Sequence, residues 1–271
     1  MVEPRDLPTD PAFTRLVEQA EIEAWLDIQP ALPESRRLEV IPFDAASLLL
    51  DRVPEWPLSR ALGLGVSRPA TPETIRAIVD ATRAAGVQTL YAEISPTARP
   101  GTLSRMLGQA GFRQFDRSVI VARDTSSAPE PDAYHRIRTA VPEQSPAIAA
   151  FMQSVSGAPI DWCQLLADQI SRERWQYYVA WEHDEPCGLT GIHLGGDVAW
   201  LSVVWVSESF RNRGTQAALI NHAIRDAEAL GARWITSSYP ASVPGRTRNF
   251  DRLGFSMVYL RTRFIWEPGQ S

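Results

Sequence analysis

The chain has 271 residues, enough for one large domain or two ordinary ones, and its 44% hydrophobic and 22% charged residues exclude a disordered or fibrous protein. Its 27 basic and 32 acidic side chains leave a formal net charge of -5, which argues against a broad nucleic-acid footprint but not against an anionic cofactor held by local arginines. Two cysteines give no disulfide framework, the N-terminus lacks the apolar stretch of a signal peptide and no apolar run reaches membrane-spanning length, so the expectation is a cytoplasmic protein with no membrane or nucleic-acid partner.

In chain order, Asp10-Pro11 reads as an N-cap and first helical residue, followed by Phe13, Leu16, Val17, Ala20 and Ala24 at helical spacing. This helix is expected to end before Pro30, with short strands at 38–41 and 59–66. Thr71-Pro72 starts a second helix, with Ile75, Ile78 and Val79 on its apolar face and Gly86 as its stop. A strand at 88–94, a helix at 103–110 and a strand at 114–122 follow. The polar, proline-containing run 124–132 has no apolar periodicity and reads as a linker. Beyond it come a strand at 134–139, a helix at 142–156 and a further helix at 163–171. Strands at 175–181, 187–194 and 198–206 are joined by hairpin-length turns, so they should pair antiparallel. A long helix then separates the third from a strand at 234–239, a crossover that requires those two strands to run parallel. A short helix at 246–253 and a final strand or strand pair at 255–266 complete the chain.

The stretch 203–232 is the most informative. Val203, Val204, Trp205 and Val206 form an apolar strand end; a turn with Arg211 and Arg213 follows, and Gly214 opens an amphipathic helix with Ala217, Ile220, Ala223, Ile224, Ala227 and Leu230 on one face. A strand feeding into a helix N-terminus aims backbone N–H groups and the positive end of the helix dipole at one point, and such a point binds phosphate. The turn has one glycine and no lysine, so it is neither a P-loop nor a dinucleotide turn. A solvated charged turn at a strand end is the other reading.

The frame Val206, Ser207, Glu208, Ser209, Phe210, Arg211, Asn212, Arg213, Gly214, Thr215, Gln216 resembles the acyl-CoA loop of the GCN5-related N-acetyltransferases (GNAT), V-x-P-x-x-R-x-x-G-x-[GA]. Glu208 replaces the proline and Gln216 the final small residue; a bacterial subgroup of the family has R-G-x-Q in this place. The resemblance covers the second half well and the first half loosely. It implies that the fourth and fifth strands splay apart and that pantetheine lies in the wedge, paired with backbone groups of Val204 and Val206. It further implies that Arg211, Asn212, Arg213, Gly214, Thr215 and Gln216 hold the pyrophosphate of acetyl-CoA. Asn249, in R-N-F-x-R-L-G-F, resembles the subgroup's cofactor-side asparagine, although an Asn in the first turn of a surface helix is an equal reading.

Catalysis is less legible. The family's tyrosine acid aligns with Phe250, which cannot donate a proton, and the strand before the turn supplies no glutamate base. The remaining candidates are His193, Ser202, Ser237, Ser238 and Tyr239, with Ser238 and Tyr239 carried forward as catalytic residues because Tyr239 at a strand end could replace the missing acid. His193 on an apolar strand also reads as a core histidine, and Ser202 as a core-facing hydroxyl bonded to backbone. Cys163 and Cys187 lack a base partner, so no acyl-enzyme is expected, and no metal site is indicated. Asp161, Trp162, Glu182, Asp184 and Glu185 would lie where an amine approaches, or serve as ordinary core and turn residues.

The two halves repeat one another. Gly86-Val87, strand, Pro96, helix, Gly111-Phe112, strand corresponds to Gly231-Ala232, strand, Pro240, helix, Gly254-Phe255, strand. In the first copy the turn reads Ser67, Arg68, Pro69, Ala70, Thr71, Pro72, without R-x-x-G and with two prolines that remove backbone donors. The expected fold class is therefore α/β, with two tandem acyl-CoA N-acyltransferase (GNAT-like) mixed-sheet domains, the first truncated. The expected boundaries are a degenerate domain at 1–123 without a cofactor loop, the linker at 124–132 and an acetyltransferase domain at 133–271. The resemblance implies transfer of an acetyl group from acetyl-CoA to an amine of a small molecule or peptide, by direct attack in a ternary complex. A non-catalytic acyl-CoA-binding or regulatory module, and a scaffold that binds no nucleotide, are the rival classes. A homodimer is compatible with the sequence, and a fragment starting at Tyr134 is expected to keep the cofactor site.

Overall fold

A computed structural model of the chain describes residues 7–8, 10–28, 38–51, 58–126, 136–243 and 246–269; residues 127–132 of the expected linker and the start of the strand expected at 134 lie outside them. The chain begins with α1 (Pro11–Asp27), fixed by the Asp10 carboxylate, which accepts from the N–H groups of Ala12 and Phe13 at 2.7 and 2.9 Å. Then come β1 (Glu39–Phe43), β2 (Ala46–Leu50), β3 (Arg60–Leu62), α2 (Pro72–Ala84), β4 (Leu90–Ile94), α3 (Leu103–Gln109) and β5 (Arg113–Asp124). They are followed by β6 (Arg136–Thr139), α4 (Ser145–Ser156), α5 (Ile160–Ala167), β7 (Trp175–Glu182), β8 (Glu185–Gly195) and β9 (Val198–Val206). The chain closes with α6 (Thr215–Ala229), β10 (Trp234–Pro240), α7 (Arg246–Arg252) and β11 (Ser256–Trp266).

The strands differ from the sequence reading at two places. The strand expected at 59–66 is only Arg60–Leu62, because Gly63 and Gly65 adopt left-handed φ values of +66° and +78° that end it. The strand β2 was not anticipated; its run of three leucines is buried and lacks the alternation of a half-exposed strand. The segment 255–266 is one long strand, one of the two forms expected.

The chain forms two compact units, each drawing on separated stretches of sequence. One is built around Val121–Ser238 and Gly245–Met257, the other around Thr9–Ile120, Tyr239–Pro244 and Val258–Ser271. In the first unit the strand order is β6-β7-β8-β9-β10, with residues 121–124 of β5 beside β10. The strands β6 to β9 pair antiparallel, as their short turns require, and β10 runs parallel to β9 across the α6 crossover. Helix α6 packs on this sheet through Leu219, Ile220, Ala223, Ile224 and Ala227, all fully buried. Of the residues expected on that face, Ala217 is half-buried and Leu230 is exposed, so the apolar stripe is rotated slightly toward Ala218 and Leu219.

In the second unit the order is β1-β2-β3-β4-β11-β5. Strand β3 runs parallel to β4, and β11 lies antiparallel to it, with Phe264 opposite Ala92. Phe264 and Trp266 of β11 join Leu48, Leu64, Ile75, Leu90 and Phe112 in one apolar core. The alternate residues of β11 point to the opposite face. There the Arg261 guanidinium meets Glu18 at 3.1 Å, Glu21 at 2.8 Å and Glu93 at 3.0 Å, and the Tyr259 hydroxyl donates to Glu18. Burial pushes the Glu93 carboxyl up, but the charges of Arg261, Arg263 and Arg60 outweigh it and hold the group below the ordinary glutamate value. Among the described residues no helix is long and apolar enough to cross a membrane.

Candidate functional site

Strands β9 and β10 pair only from Trp234 opposite Val198 to Ser237 opposite Leu201, although β9 continues to Val206. The cause lies in the β8 pairing. Ile192 faces Leu201 while Gly191 faces Val203, so Ser202 is an extra residue, a bulge that bends the strand where the parallel pairing stops. The Ser202 hydroxyl donates to the Gly191 carbonyl at 3.1 Å, the backbone-bonded role expected of it. From Ser202 onward β9 is half-buried and presents a free edge toward the splayed end of β10.

The chain then turns into α6. Ser207 to Phe210 make a short 3-10 turn, and Asn212 and Gly214 adopt left-handed φ values of +62° and +85°. Gly214 is the residue before the helix, and no side chain caps its N-terminus. The first turn of any α-helix has N–H groups without an intrahelical acceptor, so this end offers donors and positive potential together. One close approach holds the helix there. A Cβ on Gly188 of β8 would stand 2.9 Å from Leu219 Cδ1 and 3.1 Å from Thr215 Cγ2, so only glycine lets the first turn of α6 lie this near the sheet.

A cavity of about 470 Å³ opens at this helix end. Of the nine residues expected to hold the cofactor, Val206 lines it from the end of β9, Arg211, Asn212 and Gly214 from the turn, and Thr215 and Gln216 from the helix. Asn249 lines it from α7, and its side-chain amide donates to the Gln216 carbonyl oxygen at 3.2 Å. Val204 lies back along the strand, and the Arg213 guanidinium sits 5.1 Å from the centre of the Phe210 ring; neither lines the cavity. Four lining residues were not anticipated: Phe210, Ala217, Arg252 and Leu253. Only the R-N-F-x-R-L-G-F frame around Asn249 pointed toward the last two. Among the described residues no carboxylate lines the cavity and two arginines, Arg211 and Arg252, do, which suits a polyanion of the diphosphate class.

The catalytic candidates are placed differently. Tyr239 is buried and Ser238 half-buried at the end of β10, and neither lines the cavity. Ser237 donates to the Leu201 carbonyl at 3.0 Å, at the last paired position before the strands part. His193 is fully buried with its ring 5.0 Å from that of Trp175, the core reading. Phe250 is buried with its ring 5.0 Å from Phe255, edge to face. Trp162 of α5 packs against Trp205 of β9 at 6.0 Å, and both are half-buried. Asp161, Glu182, Asp184 and Glu185 are exposed. Cys163 and Cys187 are buried, and burial pushes both thiols up, away from the nucleophilic thiolate. Among the described residues no cluster of three or more His, Cys, Asp or Glu side chains is arranged to hold a metal ion.

Residues 143–255 match the model of the acetyltransferase (GNAT) family. No curated protein sequence matches the chain. Several solved structures share its fold. A GCN5-related N-acetyltransferase from Kribbella flavida superposes with a TM-score of 0.70 at 19% identity, covering 94% of this chain and 96% of that one. One from Sphaerobacter thermophilus gives 0.61 at 17% identity, covering 98% and 97%. A tandem GNAT protein from the clavulanic acid biosynthesis pathway gives 0.61 at 15% identity, covering 92% and 95%.

Proposed function

We propose, on the premise that residues 143–255 belong to the acetyltransferase (GNAT) family, that this protein binds one acetyl-CoA per chain and transfers the acetyl group to an amine of a small molecule or peptide. The observation that carries this reading is the cavity at the uncapped N-terminus of α6, beside the unpaired edge of β9, lined among the described residues by two arginines and no carboxylate. A diphosphate there takes hydrogen bonds from the backbone around Asn212 to Gln216 and charge from Arg211. The helix end contributes about 0.3 to 2 kcal/mol, so the arginine and several hydrogen bonds supply the remainder. The free backbone groups of Ser202 to Val206 face the pantetheine arm as a neighbouring strand would.

Within the transfer, the amine nitrogen attacks the thioester carbonyl, the carbon–sulfur bond breaks and the thiolate departs. A thiol of pKa about 8.5 leaves with little help, which fits a phenylalanine at position 250. The attacking nitrogen gives up a proton, which passes to the departing thiolate, and Ser238 and Tyr239 at the carboxyl end of β10 are the hydroxyls proposed to relay it. Attack is direct, since both cysteines are buried with raised thiol pKa values.

The half comprising 1–123 keeps the fold without a cofactor. Supporting this, the Thr71 hydroxyl caps α2 by accepting from the Thr74 N–H at 3.2 Å. The backbone of Arg99 fills the corresponding space, its N–H donating to Gly65 at 2.9 Å and its carbonyl accepting from Ala70 at 2.8 Å. Isothermal titration with acetyl-CoA, CoA and ATP tests the proposal. Both CoA compounds should bind at one site per chain, with Arg211→Ala weakening them about tenfold or more. Absence of binding to either would remove the cofactor site and leave only the fold.

A further inference from the structure

The cavity at α6 has a second cationic wall that a diphosphate alone does not require. Arg211 stands on the turn leading into α6, whereas Arg252 comes from the last turn of α7. The two walls are joined by the Asn249 to Gln216 hydrogen bond, and Arg252 follows Asn249 by three residues, on the same side of its helix. Neither Arg211 nor Arg252 forms an ion pair among the described residues. By contrast, Arg76, Arg113 and Arg261 elsewhere in the chain each meet a carboxylate.

Two arginines on separate walls of one cavity, with no carboxylate lining it among the described residues, match a ligand with two separate anionic groups. Coenzyme A has both a diphosphate and a phosphate on the ribose 3′-oxygen. Resting on the cofactor reading above, we propose that Arg252 binds that 3′-phosphate and sets a preference for CoA over dephospho-CoA, while Arg211 holds the diphosphate common to both.

The test is titration of the full chain and its variants with CoA and dephospho-CoA at one ionic strength. The unaltered protein should prefer CoA by about tenfold, the range expected for one charge-assisted phosphate contact. Arg252→Gln should lose that factor for CoA and leave dephospho-CoA affinity unchanged, so that the two ligands bind alike. Arg252→Lys should restore part of the preference, and Arg211→Gln should weaken both ligands together. Unchanged CoA affinity in Arg252→Gln, or an equal loss for both ligands, would overturn the assignment. If the unaltered protein bound neither ligand, the cofactor reading itself would fall, an outcome distinct from those two.

Discussion

At the scale of single residues, the site depends on one glycine that carries no chemistry. Gly188 lies on β8 against Thr215 and Leu219, and the added methyl of an alanine would approach Leu219 Cδ1 to 2.9 Å. Leu219 is fully buried in a packed interior, so relieving the contact moves its side chain against its neighbours or shifts α6. Overpacking of this kind costs about 1 to 3 kcal/mol. Gly188→Ala should therefore lower stability by that amount in urea denaturation. It should also weaken CoA binding, because on the proposed reading the helix end it displaces supplies the N–H groups that hold the diphosphate. Full CoA affinity in a destabilised variant would show that the site tolerates movement of α6. Neither periodicity nor motif singles Gly188 out in the sequence, since its role exists only once the helix lies on the sheet. Arg211 and Gly214 were legible as neighbours at one turn, where both line the cavity, because loop chemistry is local. Arg252 stood in the sequence only as part of the frame around Asn249; that it shares a cavity with Arg211 was not legible, because that depends on how α7 lies beside the turn.

At the scale of elements, much of the first unit was readable: three antiparallel strands from hairpin-length turns, a parallel return from a helical crossover. The bulge at Ser202 was not, since no residue type at that position announces it, yet it decides where β9 and β10 part. The expected splay thus has a local cause, and its consequence can be measured by amide hydrogen exchange. Ser237 and Leu201 close the paired stretch, so the edge of β9 from Ser202 to Val206 exchanges through a face no strand protects. Adding CoA should slow exchange across 202–206 and in the first turn of α6, by about tenfold or more at saturation. Exchange at 65–71 in the other unit should not change, because Arg99 already occupies that turn. Protection at 65–71 with none at 202–206 would place the cofactor in the wrong half.

At the scale of the whole molecule, self-similarity of the two halves was legible, but the route by which the chain shares strands was not, because repeat patterns carry no information about which copy a strand joins. The unit containing the cavity takes residues 121–124 of β5 beside β10. There Thr236 donates to the Val121 carbonyl at 2.8 Å, and Thr125 donates to the Ala232 carbonyl at 2.7 Å. Conversely, residues 258–266 of β11 pair with β4 and bury Phe264 and Trp266 in the other unit's core. A fragment starting at Tyr134 therefore loses the strand beside β10 and leaves two large aromatic side chains and a full strand edge without partners, the configuration that promotes edge-to-edge aggregation. The expectation that such a fragment keeps the site is revised accordingly. Residues 134–271 should be insoluble or melt far below the full chain, as read by sedimentation and circular dichroism. A monomeric, cooperatively melting fragment that binds CoA as the full chain does would mean that strand sharing contributes little, and that the cofactor half is self-sufficient after all.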